Sequence, residues 1–265
     1  VWRVFESLDL SGSGQVAFYD DGVGTAAFKP LAVLGGAFGY GLKRNVIDIY
    51  KFACRNYRND DDEIFGFGFS RGAFTMRVVA GLILEQGLVR ADNETELHAM
   101  AKAAYRTYRA NNYHTIWPWF LRPESLGRFL LRPFTRRGYD PGRNRKHINI
   151  RFLGLWDTVA AYGMPVEEMT RGISQWIWPM TLPDCHLDKR VKRACHAISI
   201  DDERTTFHPV LWDERNEEPL QPGKDGKRYL ADERISQVWF PGVHSNVGGG
   251  YPDDSVAQIP LCWIL

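Results

Sequence analysis

The chain has 265 residues, which is enough to bury one large hydrophobic core, and its 33 basic and 32 acidic side chains nearly cancel. A formal net charge of +1 at pH 7 excludes a strong overall field of the kind that draws a protein to nucleic acid. The four cysteines form no CxxC pair, which argues against a disulfide framework or a zinc site and predicts reduced thiols in the core: Cys54, Cys185, Cys195 and Cys262.

The first predicted elements lead to a loop that is punctuated by glycines. Residues 1–10 predict a helix, and residues 15–19 predict a strand that this loop follows. The backbone amides of Gly22 and Gly24 in the loop either face a substrate or belong to an ordinary turn. The chain has no initiating Met and stops inside a predicted helix over residues 259–265, so we expect it to be truncated at both ends.

A buried strand that turns directly into a helix organises the chain. Residues 63–69 form a short apolar run, and small and apolar residues recur at helical spacing from Arg71 onward. The residues at this turn, Gly68-Phe-Ser70-Arg-Gly72, match the Gly-x-Ser-x-Gly pattern of a nucleophile elbow.

The glycines of this pattern have a steric reason. A strand that turns abruptly into a helix crowds the positions two residues to either side of the serine, and glycine leaves room there. Ser70 is then held clear of the backbone, with the N–H of Arg71 and the helix N-terminus facing the same point. The same residues could instead form a tight turn in which Ser70 caps the helix. A phosphate loop is less favoured because the GK[ST] ending is absent.

The stretch over residues 90–147 predicts a helical, aromatic insertion. A predicted amphipathic helix over residues 94–110 is followed by aromatic and arginine side chains over residues 114–134, and a second aromatic patch covers residues 173–180. Such clusters suit an interfacial surface. The insertion is predicted either as a lid over the active edge of a sheet or as an ordinary insertion with its own small core.

Three further strands are predicted over residues 147–156, 193–200 and 236–241, with helical stretches between them. This alternation predicts a single α/β domain over residues 1–265, with a mostly parallel sheet, helices on both faces and the insertion as a helical cap. Sites in such sheets gather at the carboxyl ends of the strands. Five polar residues follow strands in this way: Ser70, Asp157, Asp201, Asp202 and His244.

A serine nucleophile needs a base that takes its proton and an acid that orients the base. His244 is the best candidate for the base, because it follows a strand and lies in a glycine-rich loop that could bring the imidazole over Ser70. His208 is the next candidate. His196 falls inside an apolar strand and predicts a hydrogen-bonded core residue instead.

The residues leave the identity of the acid open. Asp201 and Asp202 follow the strand after which hydrolases of this fold more often carry their acid, so strand position slightly favours them over Asp157. Their alternative role is a salt-bridged loop with Arg204. Asp157 could likewise cap the segment that follows it.

Four motifs in this order resemble the uncharacterised α/β-hydrolase catalytic domain family, which includes the phospholipases delivered by bacterial type VI secretion. They are FGFSRGAF at 67–74, LGLWDTV at 153–159, AISIDDER at 197–204 and VWFPGVHSNVGGGY at 238–251, and YDDGVGT at 19–25 matches as well. The resemblance implies an α/β-hydrolase-like fold and a serine ester hydrolase with phospholipase or lipase activity. It places the nucleophile at Ser70, the acid at Asp157 and the base at His244.

Two departures from the family pattern bear on activity. The family's first strand and its Phe-Asp-Gly-Thr-like loop are missing, so a second oxyanion donor is either absent or supplied by the loop with Gly22 and Gly24; losing one donor costs on the order of a hundredfold or more in rate. Asn246 replaces the aspartate of the family's His-Ser-Asp motif. Asparagine can replace the aspartate if this position only orients the loop by hydrogen bonds. If the negative charge of the aspartate is needed, activity falls.

The predicted function is cleavage of acyl-lipid esters through an acyl-enzyme, without a metal or an organic cofactor. The alternatives are a soluble carboxylesterase or thioesterase for small acyl substrates and an inactive hydrolase-like interaction module. The expected partners are an ester or lipid substrate, a membrane surface contacted transiently through the aromatic insertion and, from the resemblance, a secretion apparatus; nucleic acid is not expected. The resemblance also implies a bacterial cytoplasmic location before secretion to a target cell.

Overall fold

The computed structural model describes residues 1–12, 14–22, 36–112, 139–159, 182, 185–204, 208–215, 217 and 233–265, and over residues 36–40 it describes only the backbone. Six α-helices and four strands lie in these ranges. In chain order they are α1 (Trp2–Glu6), α2 (Gly36–Asn56), β1 (Ile64–Phe69), α3 (Arg71–Gln86), α4 (Glu94–Asn112), β2 (Ile150–Trp156), β3 (Val191–Ser199), β4 (Ile235–Phe240), α5 (His244–Gly248) and α6 (Gln258–Ile264).

The four described strands form one parallel sheet in the order β1-β2-β3-β4. Each strand therefore pairs with the next described strand along the chain. The register aligns their carboxyl ends at one edge, with Phe69 opposite Trp156, Trp156 opposite Ala197, and Ser199 opposite Phe240. The prediction of an α/β protein with a parallel sheet is confirmed.

Helices cover this sheet on both faces. On one face, α3 packs against Leu153 and Leu155 of β2, which are buried. On the other face, α1, α5 and α6 surround the buried Trp156 of the same strand. Burying a side chain such as leucine stabilises the fold by about 1.5–3 kcal/mol, so β2 holds the two layers together.

A further cluster of buried side chains joins α2, α3 and α4. Leu82 of α3 and Ala101 of α4 are fully buried within it. Helix α4 begins where the side chain of Asn93 accepts a hydrogen bond from the Glu96 N–H at 2.9 Å, which satisfies one of the unpaired amides of a helix start. The helical part of the predicted insertion therefore packs in the body of the domain.

The aromatic stretches over residues 114–134 and 173–180 lie outside the described residues. The lid and the membrane contact depend on these stretches, so both remain predictions. No helix in the described part of the chain is long and apolar enough to cross a membrane.

The predicted strand over residues 15–19 is wrong. These residues are described and form no strand. The ring of Phe18 packs on Phe52 of α2 with 5.4 Å between the centroids, and the ring of Tyr19 lies 4.9 Å from Trp2 of α1. The two aromatic side chains at the end of this segment thus contact helices α1 and α2.

All four cysteines are free thiols. Cys195 is buried and Cys54 is partly buried, as the prediction of core thiols requires, and burial raises the pKa of Cys54 to about 12. Cys185 and Cys262 are exposed, so the prediction of a core location is wrong for these two. The described residues contain no group of three or more His, Cys, Asp or Glu side chains arranged to hold a metal ion.

Candidate active site

Ser70 lies between the end of β1 at Phe69 and the start of α3 at Arg71. Its backbone angles, φ 59° and ψ −123°, fall in a region that residues other than glycine rarely adopt. The neighbouring structure holds this conformation, because the Ser70 N–H donates to the Trp156 carbonyl at 2.9 Å and the Ser70 carbonyl accepts from the Phe74 N–H at 3.2 Å. The serine side chain is thereby presented at the carboxyl edge of the sheet.

The two glycines that flank Ser70 differ in their surroundings. A Cβ atom at Gly68 would lie 2.6 Å from the Ala73 Cα and 2.6 Å from the Gly72 carbonyl oxygen, so only glycine fits there without a backbone shift. A Cβ atom at Gly72 would have no described atom within 4 Å apart from its chain neighbours and the adjacent backbone of its own helix. The steric reason for the elbow pattern is therefore visible at Gly68 and not at Gly72.

His244 begins the short helix α5, after β4, and its side chain contacts Ser70. The distance from His244 Nε2 to Ser70 Oγ is 2.7 Å, and the distance from His244 Nδ1 to Asp157 Oδ2 is 2.6 Å. The ring also packs on Phe69, with 4.5 Å between the centroids. Since a carboxylate only accepts, this arrangement requires the tautomer with hydrogen on Nδ1, and Nε2 then accepts the hydrogen bond of the Ser70 hydroxyl.

Asp157 follows β2 directly, has a positive φ of 40° and is completely buried. Its N–H donates to the Ala197 carbonyl at 2.7 Å, which ties the turn to β3. Ser199, the last residue of β3, donates its N–H to Asp157 Oδ1 at 3.0 Å and its hydroxyl to Asp157 Oδ2 at 2.7 Å. Together with His244 Nδ1–H, these donors hold both carboxylate oxygens.

Sequence reasoning did not single out Ser199 as a site residue. Ser199 is buried at the end of β3, inside the motif over residues 197–204. The sequence offered one indication of this role: Ser199 lies at the end of a predicted strand, close to the candidate residues Asp201 and Asp202. That signal is weak, because a buried serine usually satisfies a nearby backbone group.

Asp201 and Asp202, the alternative acids, contact the backbone of the loop before α5. Asp201 Oδ2 accepts from the Gly242 N–H at 2.6 Å, and Asp202 Oδ2 accepts from the His244 N–H at 3.2 Å. Asp202 also forms the predicted ion pair with Arg204, and this guanidinium lowers the pKa of Asp202 to about 2. The His244 ring nitrogen Nδ1 instead has Asp157 as its carboxylate partner.

His196 is completely buried in β3, and its ring is hydrogen-bonded. Nε2 accepts from the Thr158 N–H at 3.0 Å, and Nδ1 lies 3.3 Å from Gln237 Oε1. Burial lowers the pKa of His196 to about 4. The interpretation as a core residue is confirmed. His208, the second candidate base, is exposed.

Of the three candidate oxyanion donors, Arg71 and Gly22 are described, and their backbone amides have different surroundings. Arg71 is the first residue of α3, at the positive end of the helix dipole. The Gly22 N–H donates to Asp20 Oδ1 at 2.7 Å, and Gly22 has a φ of 81°. The Gly22 amide is thus engaged within its own turn, and its role as an oxyanion donor remains a prediction. Gly24 lies outside the described residues.

Asn246 supports the loop that carries His244. Its Oδ1 accepts a hydrogen bond from the Val243 N–H at 3.1 Å, a contact that a neutral amide oxygen makes as a carboxylate would. Gly242 has a φ of 103°, and a Cβ atom there would lie 2.6 Å from the Asn246 Cβ. The departure from the family aspartate thus keeps an acceptor at this position.

A wide cleft opens over Ser70 and His244. Its walls come from the N-terminal segment, from the edge of β1 and from the loops after β3 and β4. Arg71, Gly72, Arg204 and Tyr251 are among the residues that line it. Among the described residues, Ser70 and His244 both line this cleft, so a substrate within it could reach the serine.

Fold and site together define an α/β protein in which a serine, a histidine and an aspartate form a hydrogen-bonded chain at the carboxyl edge of a parallel sheet. Over its whole length, residues 1–265, the chain matches the family described as "T6SS, Phospholipase effector Tle1-like, catalytic domain". The chain belongs to this family of phospholipase effector catalytic domains.

A curated protein of Saccharomyces cerevisiae, "Uncharacterized protein YEL023C", is 26% identical to the chain over 225 residues. The match covers 80% of the chain and 29% of the yeast protein, so the chain spans less than a third of this relative's length. No solved structure matches the chain significantly.

Proposed function

We propose that this domain is an α/β-hydrolase-like lipase that cleaves carboxylic esters of phospholipids through Ser70, His244 and Asp157. One observation carries the proposal. The Ser70 hydroxyl, the His244 ring and the Asp157 carboxylate are linked by contacts of 2.7 and 2.6 Å, although they come from three different strand ends. Membership of a phospholipase effector family supports the choice of a lipid ester as the substrate.

The reaction begins with the serine. His244 Nε2 takes the Ser70 hydroxyl proton while Oγ attacks the ester carbonyl carbon, which gives a tetrahedral oxyanion. The N–H of Arg71, at the positive end of α3, stabilises that charge. The intermediate collapses to an acyl-enzyme and the alcohol, which leaves with the proton from His244. Water then repeats the sequence on the acyl-enzyme and releases the fatty acid.

Asp157 supports the proposed base through its burial and its donors. A buried carboxylate that accepts from Nδ1–H keeps the imidazole in the tautomer that receives the serine proton and stabilises the imidazolium that forms. Ser199 fixes the orientation of this carboxylate with two further hydrogen bonds. The base is therefore preorganised before substrate binds.

The test is hydrolysis of phospholipid vesicles by the 265-residue chain, together with labelling by a fluorophosphonate. Ser70→Ala should lower fatty acid release by about 10⁴-fold or more, because the attacking oxygen is removed. It should also abolish labelling while the circular dichroism spectrum stays unchanged. Ser11→Ala is the matched control, since Ser11 is an exposed serine whose hydroxyl donates to Asp9.

The outcomes separate the proposal from its two alternatives. Hydrolysis that persists in Ser70→Ala contradicts the proposed nucleophile. Labelling of Ser70 with turnover confined to short p-nitrophenyl esters favours a small-substrate carboxylesterase or thioesterase. A folded wild type that neither labels nor hydrolyses any ester favours an interaction module.

A further inference from the structure

Three consecutive backbone amides lead into His244, and each donates to a side-chain oxygen. The Gly242 N–H donates to Asp201, the Val243 N–H to Asn246 and the His244 N–H to Asp202, at 2.6, 3.1 and 3.2 Å. Loop amides more often bond to water or to other backbone groups. The backbone that carries the proposed base is thus held by side chains, two of which follow β3.

Asp202 is the member of this set that reaches His244 itself. Its carboxylate is fixed by Arg204, which donates from Nε to Oδ1 at 2.9 Å and from Nη2 to Oδ2 at 2.5 Å. The Asp202 side chain is only 3% exposed. A two-pronged guanidinium contact leaves a carboxylate little freedom to rotate, so Oδ2 presents a fixed acceptor to the His244 N–H.

The His244 ring and the His244 backbone therefore have separate carboxylate partners. Asp157 binds Nδ1 of the ring, and Asp202 binds the N–H of the same residue at the start of α5. We propose that Asp202 is a positioning residue for the general base, holding the His244 backbone so that Nε2 stays within reach of Ser70. This inference rests on the proposed function of His244.

The Asp202 carboxylate is ionised around neutral pH and therefore remains a charged acceptor for the His244 N–H. The pKa of Asp202 is lowered to about 2, chiefly by the Arg204 side chain, so the group is ionised well below neutral pH. A charged acceptor makes a stronger hydrogen bond to an amide than a neutral one. Asparagine at this position keeps an oxygen acceptor and loses the charge.

A second aspartate of the chain offers a matched control. Arg204 also donates its backbone N–H to Asp202 Oδ1 at 3.1 Å, and Asp188 receives the same three contacts from the residue two positions on. These are the Arg190 N–H at 2.9 Å, Nε at 3.0 Å and Nη2 at 2.6 Å. Asp188 precedes β3, at the amino end of the strand, whereas Asp202 follows its carboxyl end. Asp188→Ala therefore removes an Asp-x-Arg pair without touching the His244 loop.

The experiment compares Asp202→Ala, Asp202→Asn and Asp188→Ala with the wild type. In Asp202→Ala we expect kcat and the rate of fluorophosphonate labelling to fall about 10- to 100-fold, since misplacing a catalytic group by 1 Å costs on the order of 100-fold. KM should change less than kcat, because the Asp202 side chain is only 3% exposed. The kcat of Asp202→Asn should lie between those of the wild type and Asp202→Ala. Hydrogen exchange of the His244 amide should be faster in Asp202→Ala than in Asp188→Ala.

Three results overturn the inference, and they are distinguishable. If Ser70→Ala and His244→Ala are inactive but Asp202→Ala matches Asp188→Ala in kcat, labelling and exchange, the positioning role is wrong and the proposed function stands. If His244→Ala retains wild-type turnover, the proposed function fails and the positioning role fails with it. A loss of kcat in both aspartate variants points to a general structural effect and also contradicts the inference.

Discussion

Ser199 shows how a single small side chain can set the direction of a buried charge. Asp157 has two oxygens, and both are bonded to Ser199, one through the backbone N–H and one through the hydroxyl. The oxygen that accepts the Ser199 hydroxyl also accepts from His244. Rotation of the carboxylate away from the imidazole therefore requires breaking a hydrogen bond to Ser199.

Ser199→Ala should lower kcat roughly tenfold, because a hydrogen bond to a charged group contributes about 1.5–3 kcal/mol and the backbone N–H of residue 199 remains in place. The measurement is steady-state hydrolysis with circular dichroism as a check on folding. Ser236→Ala is the matched control. Ser236 is equally buried and its hydroxyl also donates to a carboxylate, that of Glu233, at the opposite edge of the sheet. Equal rates for the two variants would rule out a special role for Ser199.

The sequence was informative about the candidate nucleophile and base and less so about the acid. Ser70 and His244 each follow an apolar strand and lie beside glycines, and both patterns can be read without a structure. Asp157, Asp201 and Asp202 all follow strands, so strand position alone does not separate them. The difference lies in side-chain direction. The positive φ of Asp157 turns its carboxylate toward His244, while the other two face backbone amides.

At the scale of single elements, the elbow depends on contact between β1 and the first turn of α3. Gly68→Ala should lower the melting temperature by roughly 5 °C, because the new methyl group overlaps the backbone of Gly72 and Ala73 and overpacking costs about 1–3 kcal/mol. Gly72→Ala should leave the melting temperature unchanged or slightly higher, since alanine favours a helix more than glycine does. Thermal unfolding followed by circular dichroism gives both values, and equal losses would contradict the steric account.

The four described strands were predictable from the sequence, but the additional strand predicted over residues 15–19 does not form. The runs over residues 63–69, 147–156, 193–200 and 236–241 overlap β1 to β4, with β3 and β4 beginning one or two residues earlier than predicted, because buried parallel strands read as continuous apolar segments. Residues 15–19 carry a similar apolar signal. Their rings pack on α1 and α2 instead, and this tertiary contact cannot be read from local pattern. A helix over residues 94–110 was predicted and is observed with its end at Asn112, whereas its packing against α2 and α3 was not predicted.

At the scale of the whole molecule, a buried neutral histidine makes the stability of the fold depend on pH. The pKa of His196 is lowered to about 4 by burial, with the positive charge of Arg77 adding to the effect and Asp157 opposing it. The unfolded chain, with an ordinary histidine pKa near 6.5, binds this proton more readily than the folded chain does. The free energy of unfolding therefore falls as the pH drops from about 6.5 towards 4, by up to about 1.4 kcal/mol per pH unit.

Urea unfolding at pH 7 and pH 5 tests this dependence. The wild type should lose roughly 2 kcal/mol more than His196→Gln between these two pH values, because glutamine carries no titratable proton. Glutamine can also accept from the Thr158 N–H and donate to Gln237, so the variant keeps the hydrogen-bond partners of the histidine. Identical losses in the two proteins would contradict a lowered pKa of His196 in the folded chain.

The sequence distance between the two reacting groups has a consequence for synthesis of the chain. Ser70 and His244 are 174 positions apart, and the histidine follows β4, the last of the described strands. At about 5–20 residues per second, a ribosome needs roughly 9–35 s to travel from one to the other. The elbow can fold on the ribosome during that time, but its serine has no base. Under the proposed mechanism, a nascent or prematurely released chain is thus unable to attack the lipids of the cell that makes it.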